Sequence, residues 1–244
     1  MPFPIEEKLV VGITSSALFD LKSEDHIYRR KGLKAYRQHQ KEHKDKVLST
    51  GVAFPFIKRL LSLNDHFEEQ PIEVILLSKN DPDTGVRIFK SIEHYGLNIT
   101  RAGFLNGKSS HKYIDAFNIS LLLSANEEDV REAVSENFPV GLILEDVIRD
   151  DSSDTELRIA FDFDGVLIDD EAEQAYAKNE SLEEFQDHEK EKVAVPHNEG
   201  PLANFLKKLA YFQKKEIERE ENEPDYKRIL QIAIVTARNA PTHE

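Results

Sequence analysis

Six apolar runs of strand length punctuate the chain: "LVVGI" (9–13), "IEVILL" (72–77), "ISLLL" (119–123), "VGLILE" (140–145), "LRIAF" (157–161) and "LQIAIV" (230–235). Each is close to continuous, the pattern of a strand covered on both faces. Between the runs the apolar spacing changes to three or four residues, in "AFPFIKRLLSLN" (53–64), "GVRIFKSIEHYG" (85–96) and "GPLANFLKKLAYFQ" (200–213). Those stretches are expected to be helices. "SANEEDVREAV" opens with Ser124 and Glu127 at capping-box spacing, which predicts a further helix start. Buried strands alternating with amphipathic helices predict an α/β fold with parallel sheets.

The chain also matches itself. Tyr28 falls on Tyr176 at an offset of 148 residues; one inserted residue later, His39 falls on His188 and Gly51 on Gly200. "FIKRLLSLN" (56–64) then overlies "FLKKLAYFQ" (205–213), and after a longer insertion "ILLSKNDP" (75–82) overlies "AIVTARNAP" (233–241). Ordered matches with small gaps predict two copies of one α/β unit. The turn-rich, acidic "EDVIRDDSSDTE" (145–156) is the expected joint, giving domains 1–150 and 151–244.

Composition narrows the function. The 32 basic against 46 acidic residues give a net charge of −14, and no local basic patch is evident, so nucleic-acid backbone is an unfavourable partner. There is no cysteine, which removes thiol nucleophiles and thiolate metal sites and agrees with a reducing compartment. No run reaches 18 apolar residues, and "MPFPIEEKLVVGI" carries charge where a secretory signal needs its apolar stretch; we expect a cytoplasmic protein that makes no use of a membrane. A homo-oligomer is left open. The charged "KKEIEREENEPDYKR" (214–228) and "HQKEHKDK" (39–46) read as solvated helix ends and loops. His39 and His43 share a helical face but lack the Glu directly after the first His of the H-E-x-x-H zinc-protease motif, and the other histidines carry no assignment.

The chemistry concentrates in "RIAFDFDGVLIDD" (158–170). In an open α/β sheet, reactive groups collect beyond the carboxyl ends of strands, where diverging loops leave a crevice. Asp162 and Asp164 lie at such an end, and residues i and i+2 of an extended chain project to one side. Two like charges held that close need a cation or a shared proton. Magnesium, a hard ion that prefers carboxylate, carbonyl and phosphate oxygen, is the expected partner of both aspartates. Gly165 permits a sharp turn and close approach of a ligand. Read without this context, Asp-Gly is only a favoured turn pair.

An apolar strand, D-x-D-G, an apolar pair and an acidic continuation resemble motif I of the haloacid dehalogenase-like phosphatases. The resemblance implies that Asp162 is a nucleophile toward phosphorus and Asp164 a general acid and base. It also implies that Thr236, after "LQIAIV", holds a phosphoryl oxygen, although a threonine there also suits a helix cap. The chain is similar, more closely, to the cytosolic 5'-nucleotidase I family. The stretches that carry this are "ALFDL" (17–21), "GVAFPFIKRLLSLN" (51–64), "LLSKNDPDTGVRIFKSIEHYGLNITRAGF" (76–104), "LLSANEEDVREAV" (122–134), "RIAFDFDGVLIDDE" (158–171) and "VTARNAPTHE" (235–244). The implied fold is a pair of Rossmann-like parallel sheets of haloacid dehalogenase type. The implied reaction is Mg²⁺-assisted hydrolysis of AMP-like nucleoside 5'-monophosphates through an aspartyl-phosphate. Arg238 and Asn239 flank Thr236 and could reach a substrate; Arg238 equally suits a surface ion pair.

Two departures from the family pattern qualify these expectations. The first copy has Thr14 and Ser16 in place of Asp162 and Asp164. It keeps Ser78, has Lys108 where a phosphate-binding lysine would fall, and shows Ser124 and Ala125 where acidic metal ligands are expected. It therefore reads as a structural or regulatory half. The second copy reads as truncated at its C-terminus, short of a lysine and an acidic metal-binding element, so little turnover is expected of this stretch alone. The acidic segment 169–191 suits either a cap over the site or a solvated helix. The alternatives are a phosphatase for another small phosphomonoester, and a non-catalytic nucleotide-sensing or scaffolding protein.

Overall fold

A computed structural model describes residues 7–144, 150–168 and 198–236. The chain divides into two compact units, Met1–Thr155 and Glu156–Glu244. In the first, the strands are β1 (Leu9–Thr14), β2 (Ile72–Ser78), β3 (Arg101–Phe104), β4 (Ile119–Ser124) and β5 (Val140–Leu142). They form one sheet in the order β3-β2-β1-β4-β5, parallel throughout. "LVVGIT" occupies the centre and every residue of it is buried, as a continuous apolar run requires. The predicted α/β architecture with a parallel sheet is what forms.

The helices of this unit are α1 (Ser15–Leu18), α2 (Lys22–Glu42), α3 (Phe54–Ser62), α4 (Pro82–His94) and α5 (Glu127–Ser135). Predicted helix 53–64 appears as α3, which buries Phe54, Ile57, Leu60 and Leu61 and tightens into a 3-10 turn at Leu63–His66. Ile57 and Leu60 are fully buried; each such side chain contributes about 1.5–3 kcal/mol by leaving water. Helix α4 starts where Asp81 accepts from Thr84 N at 3.1 Å, with Pro82 in its first turn, where a missing N–H costs nothing. Val10, Ile75, Leu77, Ile114, Ile119 and Leu122 pack as one cluster, flanked by Tyr113, Phe117, Phe138 and Val140.

Three details differ from the sequence reading. The helix expected from Ser124 begins at Glu127 and is capped by Asn126, whose side chain accepts from Asp129 N at 2.9 Å. Ser124 is instead the last residue of β4, because the apolar run carries the strand that far. Strand β3, four residues with two small ones, has no apolar run to announce it. Helix α2 has 21 residues, interrupted at Gly32 (φ 76), and buries only Glu24, Tyr36 and Gln40. It docks through polar bonds: Arg87 of α4 donates to Glu24 at 2.7 Å and to Gln40 at 3.2 Å, and Arg37 donates to Asp81 at 2.5 Å.

The second unit contains β6 (Leu157–Asp162), α6 (Ala203–Asn222) and β7 (Leu230–Val235). β6 and β7 are parallel, in register from Leu157 opposite Leu230 to Asp162 opposite Val235. Helix α6 buries Phe205, Leu209 and Phe212, and the Phe205 ring meets Phe161 of β6 edge-on at 6.0 Å. Burial is one-sided here: Leu157 and Phe161 are covered, whereas Ala160 and Asp162 of β6 and Ile234 and Val235 of β7 are exposed. No described helix is long and apolar enough to cross a membrane.

Candidate active site

The carboxyl end of β6 sets the geometry. Asp162 is its last residue and lies opposite Val235, one inter-strand spacing of about 4.8 Å away, and Thr236 is the next residue as the chain leaves β7. The Asp162 side chain is exposed, and no described residue holds its carboxylate in a hydrogen bond or ion pair. The strand ends there, so alternation along an extended chain reaches Asp162 but not Asp164. Asp164 is placed by a turn instead: Phe163 N donates to Val235 O at 3.1 Å, and Leu167 N and Ile168 N donate to Phe163 O at 3.1 and 3.2 Å. Gly165 takes φ 69, the left-handed region where a side chain would be strained.

The turn is clamped from behind. Gly200 N donates to Leu167 O at 2.9 Å and Leu202 N to Val166 O at 3.0 Å, just ahead of α6. A Cβ on Gly200 would lie 2.6 Å from the Val166 and Ile168 carbonyl oxygens, so only glycine fits without a backbone shift. Asp162, Asp164, Gly165 and Thr236 are thus brought to one strand end. Arg238, Asn239 and segment 169–191 lie outside the described residues. Two carboxylates at an exposed turn are a hard, all-oxygen donor set, and they suit a magnesium-class ion.

Corresponding bonds occur in the first unit. Thr14 ends β1 opposite Leu77, and Ser78 follows on β2. Gly51 N donates to Leu18 O at 2.8 Å and Ala53 N to Ala17 O at 3.1 Å, and a Cβ on Gly51 would lie 2.6 Å from Ala17 O. At this strand end the groups are hydroxyls: Ser15 Oγ meets Ser78 Oγ at 3.1 Å, and Thr14 Oγ1 meets Ser16 Oγ at 3.5 Å. The loop bearing Lys108 is stitched to the end of β2 by Leu105 N donating to Ser78 O at 2.8 Å and Gly107 N to Lys79 O at 2.7 Å. Ser124 accepts from Asn126 N at 3.1 Å. Thr14, Ser15, Ser16 and Ser78 thus bring hydroxyls, and no carboxylate, to this strand end.

Elsewhere in the first unit, an open apolar groove of about 520 Å³ is lined by Val86, Phe89, Ile92, Leu97 and Ile99. Leu97 and Ile99 precede β3, so the groove sits at the amino end of the sheet, opposite the strand ends that carry Thr14 and Ser78. His39 and His43 stack at 4.1 Å, and the His43 ring bonds the His39 carbonyl through Nδ1 at 2.8 Å. Burial, and then the neighbouring His43, hold His39 below the usual histidine range. One grouping escaped the sequence reading: His111, Glu132 and Glu136 converge, with donor atoms all within 4.8 Å of one another. The two glutamates are four apart at the end of α5, but nothing in the sequence ties them to a histidine across β4.

Comparison with known proteins follows the same lines. The 5'-nucleotidase family matches residues 1–244. Cytosolic 5'-nucleotidase 1B of Homo sapiens is 32% identical over 250 residues, which cover 98% of this chain and 40% of that protein. The chain thus spans about two fifths of the length of this curated relative. No solved structure matches it.

Proposed function

The chain belongs to the 5'-nucleotidase family, and from that premise we propose that it hydrolyses AMP-like nucleoside 5'-monophosphates to nucleoside and phosphate. The observation that carries the proposal is the strand end where Asp162, with no described partner on its carboxylate, lies opposite Val235 while Thr236 follows. An Asp162 oxygen attacks phosphorus in line; the Asp162 O–P bond forms as the bond from phosphorus to the nucleoside 5'-oxygen breaks. Asp164, carried by the turn at Gly165, protonates the departing oxygen. Asp164 then takes a proton from water, the water oxygen attacks phosphorus, and phosphate leaves Asp162. Splitting the displacement in two replaces one high barrier by two lower ones. The Thr236 hydroxyl steadies a phosphoryl oxygen, and Arg238 and Asn239, which lie outside the described residues, are assigned as substrate contacts on their place in the sequence alone. Asp162 and Asp164 would hold Mg²⁺, which when bound offsets negative charge on the phosphoryl oxygens.

We further assign residues 1–150 and 151–244 to two copies of one haloacid dehalogenase-type unit. The support is the paired bonding: Gly51 to Leu18 with Gly200 to Leu167, Ala53 to Ala17 with Leu202 to Val166, and bridges of Phe19 with Thr50 and Ile168 with Glu199. Each pair is related by 149 residues. The first copy, with hydroxyls for carboxylates, serves a structural or regulatory role. The relative's description as cytosolic supports placing this protein in the cytosol. Phosphate release measured across nucleoside monophosphates and sugar phosphates, with and without Mg²⁺, tests the assignment. Release confined to nucleotides and dependent on the metal supports it; release from sugar phosphates alone, or release that does not depend on the metal, refutes it.

A further inference from the structure

We propose that His111, Glu132 and Glu136 form a second divalent-cation site, of zinc class, in the first unit. It is independent of the nucleotide-hydrolysing site and differs from it in ligand chemistry. The starting observation is His111. Its side chain is fully buried, yet neither Nδ1 nor Nε2 has a hydrogen-bond partner. Buried polar atoms are almost always satisfied, so two on one ring call for a missing partner. Nε2 is aimed at the Glu136 carboxylate, 3.6 Å from Oε1, which is longer than a hydrogen bond. An ion seated between them with bonds of about 2.1 Å would subtend roughly 118° across that 3.6 Å gap, close to tetrahedral.

The surroundings complete a donor set. Glu132 and Glu136 are one helical turn apart, so they project from the same face at the end of α5. Glu132 Oε2 already accepts from Ser109 Oγ at 2.8 Å, an outer bond of the kind that orients a ligating carboxylate. The His111 ring is backed by Phe138 at 5.6 Å, which fixes its plane. Glu136 caps the C-terminus of α5, where the helix dipole adds negative potential. One imidazole and two carboxylates favour zinc, with cobalt or manganese as substitutes; the all-oxygen pair Asp162 and Asp164 favours magnesium. Three protein ligands leave a fourth position for water. Occupied, the site would pin the loop after β3 to the end of α5.

The test is to titrate Zn²⁺ into the full chain at saturating Mg²⁺, by calorimetry, alongside the His111 ring nitrogen shifts and the visible absorption of Co²⁺ in place of Zn²⁺. The double variant D162N/D164N removes the magnesium-type carboxylates. One equivalent of Zn²⁺ should still bind to it, with the His111 resonances shifting and tetrahedral Co²⁺ absorption appearing. Glu132 and Glu136 are exposed, so E132Q/E136Q should keep the fold while weakening Zn²⁺ by on the order of 100-fold. H111A should lose the Co²⁺ signature. The proposal is overturned if Zn²⁺ binds no more tightly to the parent than to E132Q/E136Q. It is equally overturned if the His111 ring reports only a proton shared with Glu136 and no response to metal.

Discussion

At Asp162 chemistry and position reinforce each other, because the residue is exposed at the carboxyl end of β6 and has no described side-chain partner. Replacing it with Asn keeps the shape and removes the proposed nucleophile. D162N should lower kcat by at least about 10⁴-fold while leaving nucleotide binding within a few-fold, as read by steady-state kinetics and calorimetry. Gly165 is a second residue-scale test. At φ 69 an added methyl strains the backbone by about 1–2 kcal/mol, so G165A should lower Tm by several degrees and displace Asp164. These positions were legible in the sequence since an apolar run, two aspartates and a glycine are contiguous. His111 was not, because its partners lie 21 and 25 residues further along and meet it only after β4 has crossed the sheet.

Among the elements, α2 was the least legible. Its mostly charged sequence has no apolar stripe, and what seats it is the buried pair of Glu24 with Arg87 of α4. Burial pushes the Glu24 carboxyl up, but hydrogen bonds from Ser23 and Arg87 outweigh it and hold the group below the ordinary carboxylate range. A carboxyl so depressed binds fewer protons in the fold than in the unfolded chain. Its stabilisation is therefore complete above the unfolded value of about 4.3 and is lost as pH falls through the lower native one. R87M should cost about 3–5 kcal/mol in denaturant melts at pH 7 by leaving Glu24 buried and unpaired, and less in acid, where Glu24 can take up a proton. Helix α6 makes the complementary point. The run 214–228 is largely solvated as its charge suggests, yet Glu216 within it is fully buried and accepts from Ile229 N, Leu230 N and the Tyr226 hydroxyl. Burial, and then that bond to Glu216, drive the Tyr226 phenol upward. E216A strands the two backbone donors that start β7 and should lower stability by about 2–4 kcal/mol; E216Q, which keeps an acceptor, should lose less, as denaturant midpoints would report.

Over the whole molecule, the parallel architecture was readable because every strand but β3 is an apolar run. The polar docking of α2 and the metal-type cluster were hidden because both depend on contacts between distant residues. A surface of net charge −14 repels a nucleotide's phosphate, so the proposed reaction leans on local cation binding at Asp162 and Asp164. Chelation should accordingly stop phosphate release, and Mg²⁺ should restore it. The most direct measurement is rapid quenching of the protein during turnover of a nucleoside 5'-monophosphate, followed by peptide mass mapping. A transient phosphoryl adduct on Asp162 that is absent from D162N is the predicted result; an adduct on any other residue, or continued phosphate release by D162N, would contradict it.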